Sequence, residues 1–129
     1  MIGILLITHG CFGESLIQNV SNILNRRPPL LAQLGVAWQD DPLDTLPLAR
    51  LRLQEVNGGD GVMLMTDIFG ATPANLVLKL LEPGRIEGVS GLSLPMLLRA
   101  LTYRDKGMET MLQKAVSGAH DGVIKLPTH

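Results

Sequence analysis

Two segments of this 129-residue sequence carry residue types that can do chemistry: Thr8-His9-Gly10-Cys11-Phe12-Gly13 and Thr66-Asp67-Ile68-Phe69-Gly70-Ala71-Thr72-Pro73. Each follows a short apolar run. An aspartate beside a histidine accepts one ring N–H, fixes the tautomer, and leaves the lone pair of the other ring nitrogen free to attack. The same carboxylate stabilises the ring when it becomes cationic. Gly10, Gly13 and Gly70 allow close backbone approach to a ligand. A helix opening at Thr72-Pro73 would offer unpaired N–H groups and a favourable dipole to phosphate oxygens, with the Thr72 hydroxyl as a further donor. Removing one such preorganised donor costs on the order of 3 kcal/mol of transition-state stabilisation.

Each residue also has a structural use. A histidine at a strand end can cap or pack, an aspartate after a strand can close a turn, and threonine-proline is an ordinary helix start. What raises the chemical alternative is placement, because in open α/β sheets ligands bind at the carboxyl ends of strands beside the crevice where strand order reverses. Three mixed side chains, His9, Asp67 and Cys11, lack metal-ligand spacing, so no metal or cofactor is expected.

The elements that must hold these loops are legible from periodicity. Apolar runs of strand length span Ile2–Thr8, Leu34–Trp38, Gly61–Thr66, Ile86–Leu92 and Gly122–Leu126. The first and third are apolar at nearly every position, as in strands covered on both faces, and belong at the centre of a parallel sheet. If they are neighbours, His9 and Asp67 face each other. Between the runs, Leu16, Ile17, Val20, Ile23 and Leu24 follow helical spacing, as do Leu46, Ala49, Leu53 and Val56. A third helix begins at Thr72-Pro73, with Thr72 able to cap and Pro73 in the first helical position, and buries Leu76, Val77 and Leu80. Two more are expected from about Pro95 to Thr102 and from Met108 to Ser117, the latter ended by Gly118. The expected fold is a single α/β domain over residues 1–129, a doubly wound, mainly parallel sheet flanked by helices. The last run, with Lys125 and Pro127, reads as an edge strand without an assignable partner in this chain.

Composition narrows the function classes. With 46% hydrophobic residues the chain can build a core, and with 3% aromatics that core is aliphatic. A net charge of −1 with no basic cluster argues against a nucleic-acid binder. Cys11 is the only cysteine, which excludes an internal disulfide, suits a cytoplasmic location, and is expected to be a small packed residue. The Ile2–Ile7 run is too short to span a membrane and lacks the flanks of a signal peptide. His120 and His129 read as solvated, and Met63, Met65, Met96, Met108 and Met111 as core or interface filler.

Three motifs in order, Ile7-Thr8-His9-Gly10, Thr66-Asp67-Ile68-Phe69-Gly70-Ala71-Thr72-Pro73-Ala74-Asn75 and Gly91-Leu92-Ser93-Leu94-Pro95-Met96-Leu97-Leu98, resemble enzyme IIA of the mannose family of the phosphoenolpyruvate-dependent sugar phosphotransferase system. The resemblance covers essentially the whole chain. It implies that His9 is phosphorylated on Nε2 by the phosphohistidine of the small carrier HPr, and that Asp67 orients Nδ1. Thr72 matches the family's phosphate-contacting Ser/Thr, and Gly70 with Ala71 its Gly-Gly or Gly-Ala turn; Gly10 adjoins the nucleophile. It further implies a homodimer in which the last strand is exchanged. The resemblance ends with the chain, so a fused IIB domain is not expected, and the acceptor is either a separate IIB protein or a regulatory target.

The phosphotransfer subunit of dihydroxyacetone kinase is the nearest alternative of the same class. A histidine phosphatase would need Arg side chains clamping the phosphate, and neither loop contains Arg or Lys. A phosphate-ligand binding module without turnover is the other alternative. Phe12, Phe69 and Pro95-Met96-Leu97 are candidate docking residues for protein partners.

Overall fold

The structure, a computed structural model, describes residues 1–128; His129, expected to be solvated, lies outside the described residues. Strands and helices alternate as β1 (Gly3–His9), α1 (Phe12–Leu24), β2 (Leu31–Val36), α2 (Pro42–Val56), β3 (Val62–Thr66), α3 (Thr72–Leu80) and β4 (Ile86–Val89). Two helices then follow in succession, α4 (Leu94–Thr102) and α5 (Met108–Asp121). Among the described residues the strands form one parallel sheet of order β2-β1-β3-β4. The chain runs outward from β1 to β2, then returns past β1 to β3 and β4, so the order reverses between β1 and β3.

The uninterrupted apolar character of β1 and β3 matches their central place: Gly3 to Thr8 and all of β3 are buried. Side chains alternate between two cores. Ile4, Leu6, Met63 and Met65 pack under α1, α4 and α5, while Leu5, Ile7, Val62 and Leu64 pack under α2 and α3. Burying each such side chain is worth roughly 2 kcal/mol. Met96 and Met111 are also core, as expected of filler, and Leu76, Val77 and Leu80 form the buried stripe of α3.

Several boundaries differ from the sequence expectation for identifiable reasons. β2 begins at Leu31 and ends at Val36 because its partner β1 ends at His9, which stands opposite Val36. Beyond it the Ala37 N–H donates to the Asp40 carboxylate (2.8 Å) and the Asp40 N–H to the Ala37 carbonyl (3.1 Å), so Trp38 sits on a turn. β4 stops at Val89, and the Leu92 N–H instead donates to the Thr66 carbonyl at the end of β3 (3.1 Å). Ser93 caps α4 by accepting from the Met96 N–H (3.3 Å), so this helix starts at Leu94.

Gly118 does not end α5. It lies buried within the helix against α4, where a Cβ would stand 2.8 Å from the Arg99 Cβ and 3.1 Å from the Pro95 carbonyl oxygen. The small residue serves helix-helix approach, and Gly122 caps the helix four residues later, its N–H donating to the Gly118 carbonyl (3.1 Å). The expected fifth strand, Gly122–Leu126, is not paired with any strand among the described residues. Gly122 closes the helix, and Val123, Ile124 and Leu126 lie exposed because no strand of their own sheet runs beside them. Ile23 and Leu24 are also exposed, since the stripe of α1 leaves the core after Val20.

The end of the sheet opposite the two loops is fastened by Arg104, which is 4% exposed. Its guanidinium donates to the carbonyls of Ile2 (2.9 Å), Pro29 (2.7 Å) and Leu30 (2.9 Å), tying the α4-α5 connection to the entries of β1 and β2. Among the described residues no helix is long and apolar enough to cross a membrane.

Candidate functional site

The parallel register places the carboxyl ends of β1 and β3 side by side, Ile7 opposite Thr66, and the next residues out are turned toward each other. One carboxylate oxygen of Asp67, Oδ2, accepts both the backbone N–H of His9 (3.0 Å) and a hydrogen bond from its ring Nδ1 (2.8 Å). The other, Oδ1, accepts from the Ile68 N–H (3.1 Å) and faces the Thr66 hydroxyl (3.4 Å). An ionised carboxylate only accepts, so the proton in the 2.8 Å bond belongs to Nδ1, and Nε2 keeps its lone pair. Both side chains are partly buried, His9 at 23% and Asp67 at 17% exposure. Burial pushes the Asp67 carboxyl up, but the His9 backbone N–H and then its ring outweigh it and hold the carboxyl below the ordinary aspartate value.

The loop that carries His9 is built from below. Thr8, fully buried, accepts the Gly13 N–H on its Oγ1 (2.9 Å), which ties the first turn of α1 to the strand end. Gly10 has a φ of 52° and its N–H donates to the Val36 carbonyl (3.0 Å). A Cβ on Gly35 would collide with the Gly10 carbonyl, so the bare backbone of β2 is what lets this loop lie down over it.

At the same end of the sheet, Gly70 turns at a φ of 89° into the head of α3. Thr72 is not the cap. Ala71 holds that position in extended conformation, Thr72 is the first helical residue and Pro73 the second, because the turn at Gly70 delivers the chain one residue earlier. No side chain caps this helix among the described residues, so its first-turn N–H groups lack a capping partner, a general anion-binding arrangement. The structure therefore joins His9 and Asp67 by direct bonds, with Gly10 next to His9 and Gly70, Ala71 and Thr72 at the neighbouring helix head.

Other expectations change. Cys11 is exposed at the cap position of α1 instead of packed, because the chain there is leaving the sheet for solvent. Met96 and Leu97 are core, whereas Phe12 and Phe69 stand 41% and 72% exposed near the site. His120 is exposed. Two residues escape the spacing argument. Thr8 announces itself only as a polar residue closing an apolar strand. Trp38 stacks on the His9 ring, with centroids 4.9 Å apart and planes 30° from parallel, and its sole signal is an aromatic just past a strand that ends at the same rim.

Residues 3–117 match the family model for the PTS system fructose IIA component, EIIA-man, so the chain belongs to this family of sugar phosphotransferase EIIA components. Its role at that level is phosphocarrier, a transferase component working with other proteins of the system. The fold is also that of solved EIIA structures. Component EIIA from Streptococcus agalactiae superposes with a TM-score of 0.83 at 22% identity, covering 97% of each chain. The mannose/sorbose-specific IIA subunit from Enterococcus faecalis gives 0.82 at 20% identity over 99% of this chain and 98% of that one. The PTS IIA protein associated with the fucose utilization operon of Streptococcus pneumoniae gives 0.82 at 20% identity over 95% and 91%.

Proposed function

We propose that His9 is the phosphorylated residue, receiving its phosphoryl group on Nε2 from phospho-HPr and passing it to a IIB protein or holding it as a regulatory state. The observation that carries this is the 2.8 Å bond from His9 Nδ1 to Asp67, which leaves Nε2 as the ring atom with a free lone pair at a partly exposed strand end. The chemistry is in-line displacement: the Nε2–P bond forms while the P–N bond of the donor phosphohistidine breaks, and the electron pair returns to the donor ring. The Nδ1 proton stays on the ring, donated to the Asp67 carboxylate, whose negative charge offsets the positive charge the ring acquires. Gly70, Ala71 and Thr72 supply backbone N–H groups and a hydroxyl for the phosphoryl oxygens, while Gly10, whose own N–H is taken by the Val36 carbonyl, lets the phosphoryl group approach the backbone closely. Because a phosphohistidine is exchanged for a phosphohistidine, the transfer is reversible.

Phe12 and Phe69 are the docking residues we propose for donor and acceptor, being apolar and exposed on the two site loops. We further propose that the chain is a single domain acting in the cytoplasm as a homodimer, with the exposed segment Val123–Leu126 pairing with a partner's sheet. Incubation with enzyme I, HPr and labelled phosphoenolpyruvate tests the central point. The wild type should take up one acid-labile phosphate and return it to HPr, and His9→Ala should take up none; label on His9→Ala at the wild-type level would refute the assignment.

A further inference from the structure

Asp67 holds the His9 ring by its edge, and an edge contact leaves the ring free to swing about that hydrogen bond. The indole of Trp38 lies against the face of the same ring at 4.9 Å, which blocks the swing. Trp38 itself is 89% exposed, so the core does not hold it there. What holds it is the turn it sits on. The Asp40 carboxylate and N–H both bond to Ala37, and Asp41 then caps α2 by accepting the Leu43 N–H (2.9 Å). Two consecutive aspartates thus pin the backbone on either side of an otherwise solvent-facing indole. Val36, opposite His9 in the sheet register, sets the distance from the turn to the nucleophile.

We propose that Trp38 is a positioning residue for the phosphoryl transfer assigned to His9: it clamps the imidazole face so that edge and face constraints together aim Nε2 out of the crevice. This rests on His9 being the phosphorylated residue, but the stacking itself does not. Aromatic pairs at this separation attract beyond simple area burial, and a tryptophan face is the best of the three against a ring that becomes cationic. Productive geometry in such transfers is sensitive to displacements of about 1 Å, which can change rates on the order of 100-fold.

Trp38→Ala and Trp38→Phe provide the test, and with the side chain almost wholly in solvent neither threatens the fold. In the unphosphorylated protein, the indole ring current should move the His9 ring C–H resonances upfield; they should return downfield in Trp38→Ala and stay displaced in Trp38→Phe. With phospho-HPr as donor, Trp38→Ala should lower the maximal transfer rate by roughly tenfold at unchanged half-saturating HPr, and Trp38→Phe should restore most of it. Resonances indifferent to Trp38→Ala would overturn the clamp whether or not the protein carries phosphate. A loss confined to half-saturating HPr would make Trp38 a docking residue and overturn the positioning role, as would an unaltered rate. Failure of the wild type to take up phosphate would instead strike the assignment of His9, and with it the proposal.

Discussion

Replacing Asp67 by Asn keeps the shape of the site and removes the charge that selects the Nδ1–H tautomer. Outer partners of a working histidine typically contribute 10- to 100-fold, so phosphoryl uptake by Asp67→Asn should fall by roughly that factor in the HPr assay. The same residue has a stability consequence. Its carboxyl is lowered in the fold from the ordinary 3.8, so its contribution is fully present above that value and is lost as pH falls through the lower folded one. Urea unfolding of wild type and Asp67→Asn should therefore differ by a constant amount near neutrality and converge in strong acid; curves that stay parallel down to pH 2 would contradict the His9-Asp67 bonding. At this scale the sequence was informative where chemistry demanded rare residue types on two central strand ends, which is why His9 and Asp67 could be paired. It was silent on Trp38, because nothing in a run of apolar residues tells that the strand ends two positions earlier and turns its indole onto a ring from another strand.

Among the elements, glycine carries most of the information that periodicity misses. Gly118 has the look of a helix terminator, yet it sits where α5 crosses α4 and admits the Arg99 stem. Gly118→Val should strain that contact and lower stability by about 1–3 kcal/mol, read as an earlier urea midpoint with unchanged slope. Gly35 does the corresponding service for the loop that carries His9, since a methyl there meets the Gly10 carbonyl. Gly35→Ala should displace that loop and slow transfer by on the order of tenfold, while the far-ultraviolet circular dichroism stays that of the wild type. The central strands were readable because burial on both faces leaves polar positions only at their ends, at Thr8 and His9 and at Thr66. β2 and β4 were not, because edge strands take their limits from the partner's length and from turns such as Ala37–Asp40.

For the molecule as a whole, the doubly wound order followed from alternating elements alone, whereas the tail did not. A strand at Gly122–Leu126 needs a neighbour that the chain's own sheet does not offer, and no local pattern states where that neighbour is. Far from the site, Arg104 gathers three carbonyls from the starts of two strands. Arg104→Ala would remove three charge-assisted hydrogen bonds and leave the buried Ile2 carbonyl without this donor, so it should destabilise the protein by about 3 kcal/mol without altering phosphoryl uptake, a separation that thermal unfolding and the HPr assay together resolve. At the opposite end, a single oxygen of Asp67 grips both the main chain and the ring of His9. With the Trp38 indole against the ring face as well, ring and main chain are held together, so on the proposed assignment of His9 gaining or losing phosphate need not rearrange anything else. A protein that must distinguish the loaded carrier from the empty one then has only the added dianion to sense, and discrimination falls to the reader's own cationic groups.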